Sequence, residues 1–218
     1  MHPGEPLTEG RTTSRILIVD DHPMVRDGLR SMLSREPDLD IAGEATHGRE
    51  AIAQYRALRP DLMLIDLQMP EMDGLQAIAA IRDEFPDAAI IVLTTFLGDA
   101  RVARAFALGA TAYLLKTARS HEIIRAIRNA LIGRRTMAAD VAEQVAQHMG
   151  HEALTERETS ILRLVAKGQS NRSIAGVLHL SEDTIKARMK SIMRKLNAGD
   201  RTHAAMIALG RGYIDPVQ

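Results

Sequence analysis

The stretch Leu62-Met-Leu-Ile-Asp-Leu-Gln-Met-Pro-Glu-Met-Asp-Gly-Leu75 opens on four contiguous apolar residues and then turns ionisable at Asp66. Four apolar residues in a row, with no alternation, are the pattern of a strand buried on both faces of a parallel sheet. Asp66 then stands at that strand's C-terminal end, the edge at which open α/β sheets bind ligands. An earlier apolar run, Ile16 to Val19, ends in Asp20 and Asp21, so two strands of one type deliver three carboxylates to one edge. A single aspartate would read as an exposed loop acid. Three together repel one another unless a cation joins them, and an all-oxygen ligand set suits Mg²⁺.

Further apolar runs follow the same plan at Ile41 with Ala42, Ile90 to Leu93 and Tyr113 to Leu115. Between them helical spacing is readable in Val25, Leu29, Met32 and Leu33, in Ile78 with Ile81, and in Ile123, Ile124, Ile127 and Leu131. A five-fold β-α alternation predicts a doubly wound, five-stranded parallel sheet with helices on both faces. Two more polar residues fall at strand ends, Thr94 and Lys116. Alone, each reads as a structural hydroxyl or a surface cation. Together with the acids they form a set in which a carboxylate attacks a phosphoryl group, an ammonium balances the charge and a hydroxyl donates to a phosphoryl oxygen.

The chain has 218 residues, 45% of them hydrophobic, enough for two ordinary domains with cores of their own. It contains no cysteine, which excludes disulfides and thiolate metal sites and fits a reducing compartment. Residues 1–14 lack the apolar core of a signal peptide, and no run approaches membrane-spanning length, so a flexible tail and a cytoplasmic protein are expected. The net charge of zero conceals a division. Residues 1–153 carry 17 Lys and Arg against 22 Asp and Glu, whereas residues 154–218 carry 11 against 6. A basic C-terminal part behind an acidic first part points to a polyanionic partner, most simply nucleic acid.

That C-terminal part begins with a capping box, Thr155-Glu-Arg-Glu158, ahead of the apolar face of Ile161, Leu164 and Val165. Gly168 stops this helix, Ser170 starts a second, short one and Ser181 caps a third. Two short helices with a tight link predict a helix-turn-helix. In the third helix Ile185, Met189, Ile192, Met193 and Leu196 form one buried face, and Lys186, Lys190 and Arg194 run along another at i+4 steps. A basic ridge on a held helix fits the major groove of double-stranded DNA, with Arg188 and Lys195 in reach of phosphates. A solvated amphipathic helix has the same spacing; the helix-turn-helix context decides against it. A final helix from Asp200, carrying Ala204, Ala205 and Ala208, permits close approach of a second helix. Residues 133–153 bridge the two parts, with Met137, Val141, Val145 and Met149 predicting an amphipathic helix.

Asp20-Asp21, Asp66 with Met69-Pro70 and Asp73-Gly74, Thr94 and Tyr113-Leu-Leu-Lys116 together resemble the receiver domain of bacterial two-component response regulators, over residues 15–132. Leu154-Thr-Glu-Arg-Glu158, Ser170-Asn-Arg-Ser-Ile-Ala175, Leu180-Ser-Glu-Asp-Thr-Ile-Lys186, Lys195-Leu196 and Asp200-Arg-Thr202 resemble the LuxR-type DNA-binding domain, placed at residues 154–214 ahead of a short tail, 215–218. With the receiver in front, the chain resembles the NarL/FixJ class. The resemblance implies that Asp66 accepts a phosphoryl group from a sensor histidine kinase. It further implies that Asp21, Asp66 and the backbone carbonyl of Gln68 hold Mg²⁺, with Asp20 acting through water. Lys116 would pair with the phosphoryl group, Thr94 would move toward it and Tyr113 would be the rotating aromatic. Lys186, Ala187 and Lys190 would face bases, and a homodimer would form on DNA through the last helix.

The sequence also departs from the pattern. Thr117 follows the lysine where many receivers have Pro, so a trans peptide is expected there. Arg188 stands where histidine is usual and Asn197 where glycine is usual; Asn tolerates the left-handed helix end next best after Gly. Two rival functions share these residues: a regulator that binds DNA independently of phosphorylation, and a Mg²⁺-dependent aspartyl-phosphate phosphatase or phosphotransferase. The second would need a substrate-covering domain, and the chain after Lys116 offers only a linker and basic helices. The expected protein is therefore not an enzyme beyond its own phosphorylation and dephosphorylation.

Overall fold

The computed structural model describes residues 13–95, 98–137, 141–142 and 152–214. The unbroken apolar run ahead of Asp66 is β3 (Leu62–Ile65), with all four side chains buried. It follows β1 (Ser14–Val19), α1 (Pro23–Leu33), β2 (Leu39–Ala45) and α2 (Gly48–Leu58). After it come α3 (Gly74–Glu84), β4 (Ile90–Thr94), α4 (Asp99–Ala107), β5 (Ala112–Leu115), α5 (Ser120–Leu131) and the two-residue β6 (Thr136–Met137). The sheet order is β2-β1-β3-β4-β5-β6, and the paired registers β1–β2, β1–β3, β3–β4 and β4–β5 are all parallel. Every strand-end residue singled out above sits on the same edge because parallel strands share one direction.

The sheet thus has six strands where five were expected. Thr136 donates its backbone N–H to Thr111 O at 3.0 Å, which draws the chain after α5 onto the β5 edge. A two-residue strand has no hydrophobic period to announce it, and Met137 was expected in a helix instead. Ser14, expected in the tail, opens β1 by donating its N–H to Asp38 O. At the other edge β2 is longer than its apolar pair Ile41–Ala42 suggested, since only Leu39 and Ala45 of its seven residues are buried. The tails 1–12 and 215–218 lie outside the described residues. So does the expected linker helix, apart from Met137, Val141 and Ala142.

Ile16, Ile18, Leu62, Leu64, Ile91, Leu93, Leu33 and Ile127 join one core layer between the sheet and its α1 and α5 face. A separate core belongs to α6 (Glu156–Ala166), α7 (Asn171–Leu178), α8 (Glu182–Leu196) and α9 (Arg201–Gly210). Ile161, Ile174, Ile185, Ile192, Ala204 and Ala208 are fully buried at its centre. Each helix starts as its sequence dictates: Thr155 and Glu158 form a reciprocal capping box, and Ser170, Ser181 and Asp200 each accept from an N3 backbone N–H. Asn197 ends α8 at φ 51°, the left-handed cap anticipated for it.

Contacts group the described residues into two compact units that are not continuous in sequence. One contains Ser14–Thr94 with Leu108–Thr136; the other joins Thr95–Ala107 to the C-terminal helices. Within the second unit the Ala100 N–H donates to Arg211 O at 3.2 Å. A Cβ on Gly98 would come within 2.6 Å of that same oxygen, so glycine is what lets the start of α4 seat there.

Candidate phosphoacceptor site and nucleic-acid interface

The strand-end residues extend the parallel ladder by one step each. The Asp20 N–H donates to Ala45 O at 3.0 Å, Asp66 to Val19 O at 2.9 Å and Lys116 to Thr94 O at 2.8 Å. Their side chains consequently leave the sheet side by side. The Lys116 ammonium lies 2.7 Å from both Asp20 Oδ2 and Asp66 Oδ2, and all three side chains are less than a tenth exposed. Thr94 is fully buried, and its Oγ1 has no hydrogen-bond partner. Tyr113, on β5 next to the site's lysine strand end, is also fully buried. The Gln68 N–H donates to Asp66 Oδ1 at 3.3 Å.

Burial pushes the Asp66 carboxyl above the ordinary carboxylate range, and Asp20 adds to the rise against the opposing pull of Lys116. Burial disfavours the Lys116 ammonium, but its hydrogen bonds to Asp20 and Asp66 outweigh that, and its pKa stands above the usual lysine value. The pair is a buried carboxylate held beside its own counter-cation. Asp73 caps α3 in a capping box with Gln76, and Gly74 follows because a Cβ there would overlap the Asp66 carbonyl oxygen. The Asp-Gly step of the motif is therefore a packing requirement of the loop that carries Asp66. The peptide bonds of the described residues are all trans, Lys116–Thr117 among them.

Asp20, Asp21, His22 and Asp66 bring ligand atoms within 4.8 Å of one another. Asp21 Oδ1 is buried without a hydrogen bond, and its neighbour 2.7 Å away is the His22 Nδ1, so the oxygen has room to accept a cation. The acids fit Mg²⁺ in charge and donor type. His22 joins this cluster through its adjacency to Asp20-Asp21, a signal that a pattern of acids alone does not carry.

On α8 the exposed face carries Lys186, Ala187, Lys190 and Arg194, opposite buried Ile185, Met189, Ile192 and Leu196. Lys186 is paired locally with Glu182 at 3.2 Å, and Arg194 with Glu152 at 3.1 Å, both as exposed surface pairs. Arg188 is half-buried, with its Nε buried and unpartnered. Lys195 requires a correction. Instead of reaching outward to phosphate, its ammonium is 2.9 Å from Glu158 Oε2, 3.2 Å from Glu152 Oε1 and 3.3 Å from Ala153 O. Glu158 is itself buried by its capping role, so it draws the nearest cation inward.

Two family models match the chain: the response regulator receiver domain over residues 16–128, and the bacterial regulatory proteins of the luxR family over residues 152–208. The response regulator protein VraR of Staphylococcus aureus is 39% identical over 207 residues, covering 93% of this chain and 99% of VraR. The chain belongs to the NarL/FixJ class of response regulators. Among solved structures of this kind, the response regulator ChrA of a heme-sensing two-component system is 33% identical, with a TM-score of 0.56 over 94% of this chain and all of ChrA. RcsB from Salmonella enterica serovar Typhimurium, bound to the promoter P1flhDC with the phosphomimetic BeF3⁻, is 27% identical, with a TM-score of 0.70 over 89% of this chain and 97% of RcsB. A structure of two RcsB dimers on two parallel DNAs gives 26% identity and a TM-score of 0.68, over 91% and 98% of the two chains. As a response regulator of this class, the chain joins a receiver to a LuxR-type DNA-binding domain. No described helix is long and apolar enough to cross a membrane.

Proposed function

We propose that this response regulator is a cytoplasmic transcription regulator switched by phosphorylation of Asp66. The observation that carries the reading is the triad of Asp66, Lys116 and Thr94: a carboxylate 2.7 Å from an ammonium, with a buried hydroxyl that has no partner. An Asp66 oxygen attacks the phosphorus of a sensor kinase's phosphohistidine that is protonated on its other ring nitrogen, the P–N bond breaks with its electron pair going to the ring nitrogen, and the imidazole leaves neutral with the proton it already carried. Lys116 exchanges carboxylate for phosphoryl oxygen, and Thr94 donates its hydroxyl to another, which biases the receiver between two states. Mg²⁺ held by Asp21, Asp66 and the Gln68 carbonyl, with Asp20 through water, supplies charge neutralisation when bound.

The output is sequence-specific binding to double-stranded DNA. Lys186, Ala187 and Lys190 meet base edges, while Arg188 and Arg194 meet phosphates. A homodimer on DNA forms through α9, whose Met206 is 65% exposed. The functional division is a receiver at 15–132, a linker at 133–153 and a DNA-binding domain at 154–214. The test is DNA binding at fixed salt, with and without Mg²⁺ and a small phosphodonor, for wild type and Asp66→Asn. Tightening confined to treated wild type supports the switch. Equal binding in all four samples removes it.

A further inference from the structure

Arg26 stands one turn into α1, and its guanidinium reaches back to the end of β1, where Nη1 donates to the Asp20 carbonyl oxygen at 2.7 Å. From the same guanidinium Nε donates to Oε2 of Glu44, on β2, at 3.2 Å. Glu44 is fixed in its turn by Arg30, one turn further along α1, whose Nε donates to Glu44 Oε1 at 2.9 Å. The Arg26 side chain is 16% exposed, so it is not a solvated surface cation, and the atom it holds is main chain of the acidic pocket.

The three acids of that pocket are held unequally. Asp20 has both carboxylate oxygens engaged, Oδ1 by the His22 N–H at 2.9 Å and Oδ2 by Lys116 at 2.7 Å. Asp66 lies likewise between Lys116 and the Gln68 N–H. Asp21 has no such hold: its Oδ1 makes no hydrogen bond, and the atom beside it belongs to a ring that is 62% exposed. A carboxylate without hydrogen bonds of its own points where its backbone points it. The peptide that joins Asp20 to Asp21 sets that direction, and its oxygen is the one Arg26 holds. With Nε clamped by a carboxylate, the planar guanidinium presents Nη1 at one fixed place.

We propose that Arg26 is a positioning residue of the acidic pocket: oriented by Glu44, it fixes the Asp20–Asp21 peptide and thereby aims the Asp21 carboxylate for Mg²⁺. Arg26 touches no reacting atom and acts through the backbone it holds. The inference rests on the acidic pocket being a Mg²⁺ site and adds the residue that shapes it.

Calorimetric titration of the full chain with Mg²⁺ tests it, beside thermal melts and phosphodonor labelling of Asp66 across Mg²⁺ concentrations, on wild type, Arg26→Ala, Arg26→Lys and Glu44→Gln. Loss of a residue that orients metal ligands from behind is expected to weaken Mg²⁺ binding by about tenfold in Arg26→Ala. Labelling of that variant should reach the wild-type rate once Mg²⁺ is saturating. Arg26→Lys keeps a donor for the carbonyl but loses the Nε clamp, and Glu44→Gln keeps an oxygen but loses the charge, so both should fall between wild type and Arg26→Ala. Guanidinium ion, added below the concentration that unfolds the chain, should restore Mg²⁺ affinity to Arg26→Ala and leave wild type unchanged. Should Arg26→Ala not fold, Arg26→Lys carries the comparison. Mg²⁺ affinity equal to wild type in the Arg26 variants overturns the proposal and leaves the acidic pocket standing. A labelling deficit that persists at saturating Mg²⁺ and tracks a lowered melting temperature assigns Arg26 a merely structural role and overturns it as well. Absence of Mg²⁺ binding to wild type overturns the pocket reading itself, and the proposal with it.

Discussion

Lys195 and Glu158, 37 residues apart in sequence, form an ion pair 2.9 Å long in which both side chains are less than a tenth exposed. The same Glu158 carboxylate accepts from the Thr155 N–H and Oγ1 and lies within 3.3 Å of Ser191 Oγ, so one acid ties the start of α6 to the middle and end of α8. The pair holds α8 against the start of α6. Lys195→Met is expected to lower stability by roughly 2 kcal/mol, because Glu158 would stay buried with only neutral donors. Urea unfolding of the full chain measures this. The salt slope of DNA binding should stay as in wild type, whereas Arg194→Ala should reduce it by about one phosphate contact. A reduced slope in Lys195→Met would return that residue to the DNA interface.

The same acid predicts a pH dependence. Burial works to raise the Glu158 pKa, but the Thr155 N–H and Lys195 outweigh it and hold the group below the usual glutamate value. A depressed carboxylate contributes stability that is present above its unfolded pKa, about 4.3, and is lost as pH falls through the folded value. Thermal melts from pH 7 downward should show the C-terminal helices losing stability below about pH 4.5. Glu158→Gln should be less stable at pH 7 and flatter through the acid range.

Asp66 has the opposite sign. Its pKa is raised by burial, so ionisation costs stability as pH rises from the unfolded value through the folded one, and the cost persists at pH 7. Asp66→Asn, which leaves Lys116 paired with Asp20, is expected to melt at or above the wild-type temperature at neutral pH. Lys116→Met removes the one cation between two buried acids and should cost roughly 3 kcal/mol. Differential scanning calorimetry of the two variants separates these directions.

Gly176 lies inside α7 with an exposed position and nothing within 4 Å of where a Cβ would stand. Gly176→Ala should therefore stabilise by about 1 kcal/mol, read as a higher urea midpoint. Gly74→Ala is its counterpart. There a Cβ would overlap the Asp66 carbonyl and lie 2.8 Å from Leu67 Cα, so the loop must shift and phosphodonor labelling of Asp66 should fall with stability.

The alternation of buried strands, the shared edge that receives Asp20, Asp66, Thr94 and Lys116, the four helix caps and the left-handed turn at Asn197 are all written in the order of the residues. These are local properties: two-fold and 3.6-fold periods, and hydrogen bonds that span three residues. What a long side chain near several partners does is settled by the folded arrangement instead. Helical period places Lys195 beside the basic ridge, but a buried acid on another helix turns it inward. Adjacency places His22 beside two aspartates, yet only the folded start of α1 aims its ring at them. The two-residue β6 and the seat of Gly98 on Arg211 likewise depend on chain that is distant in sequence. Such choices follow from burial and charge supplied by remote residues, and no local pattern encodes those.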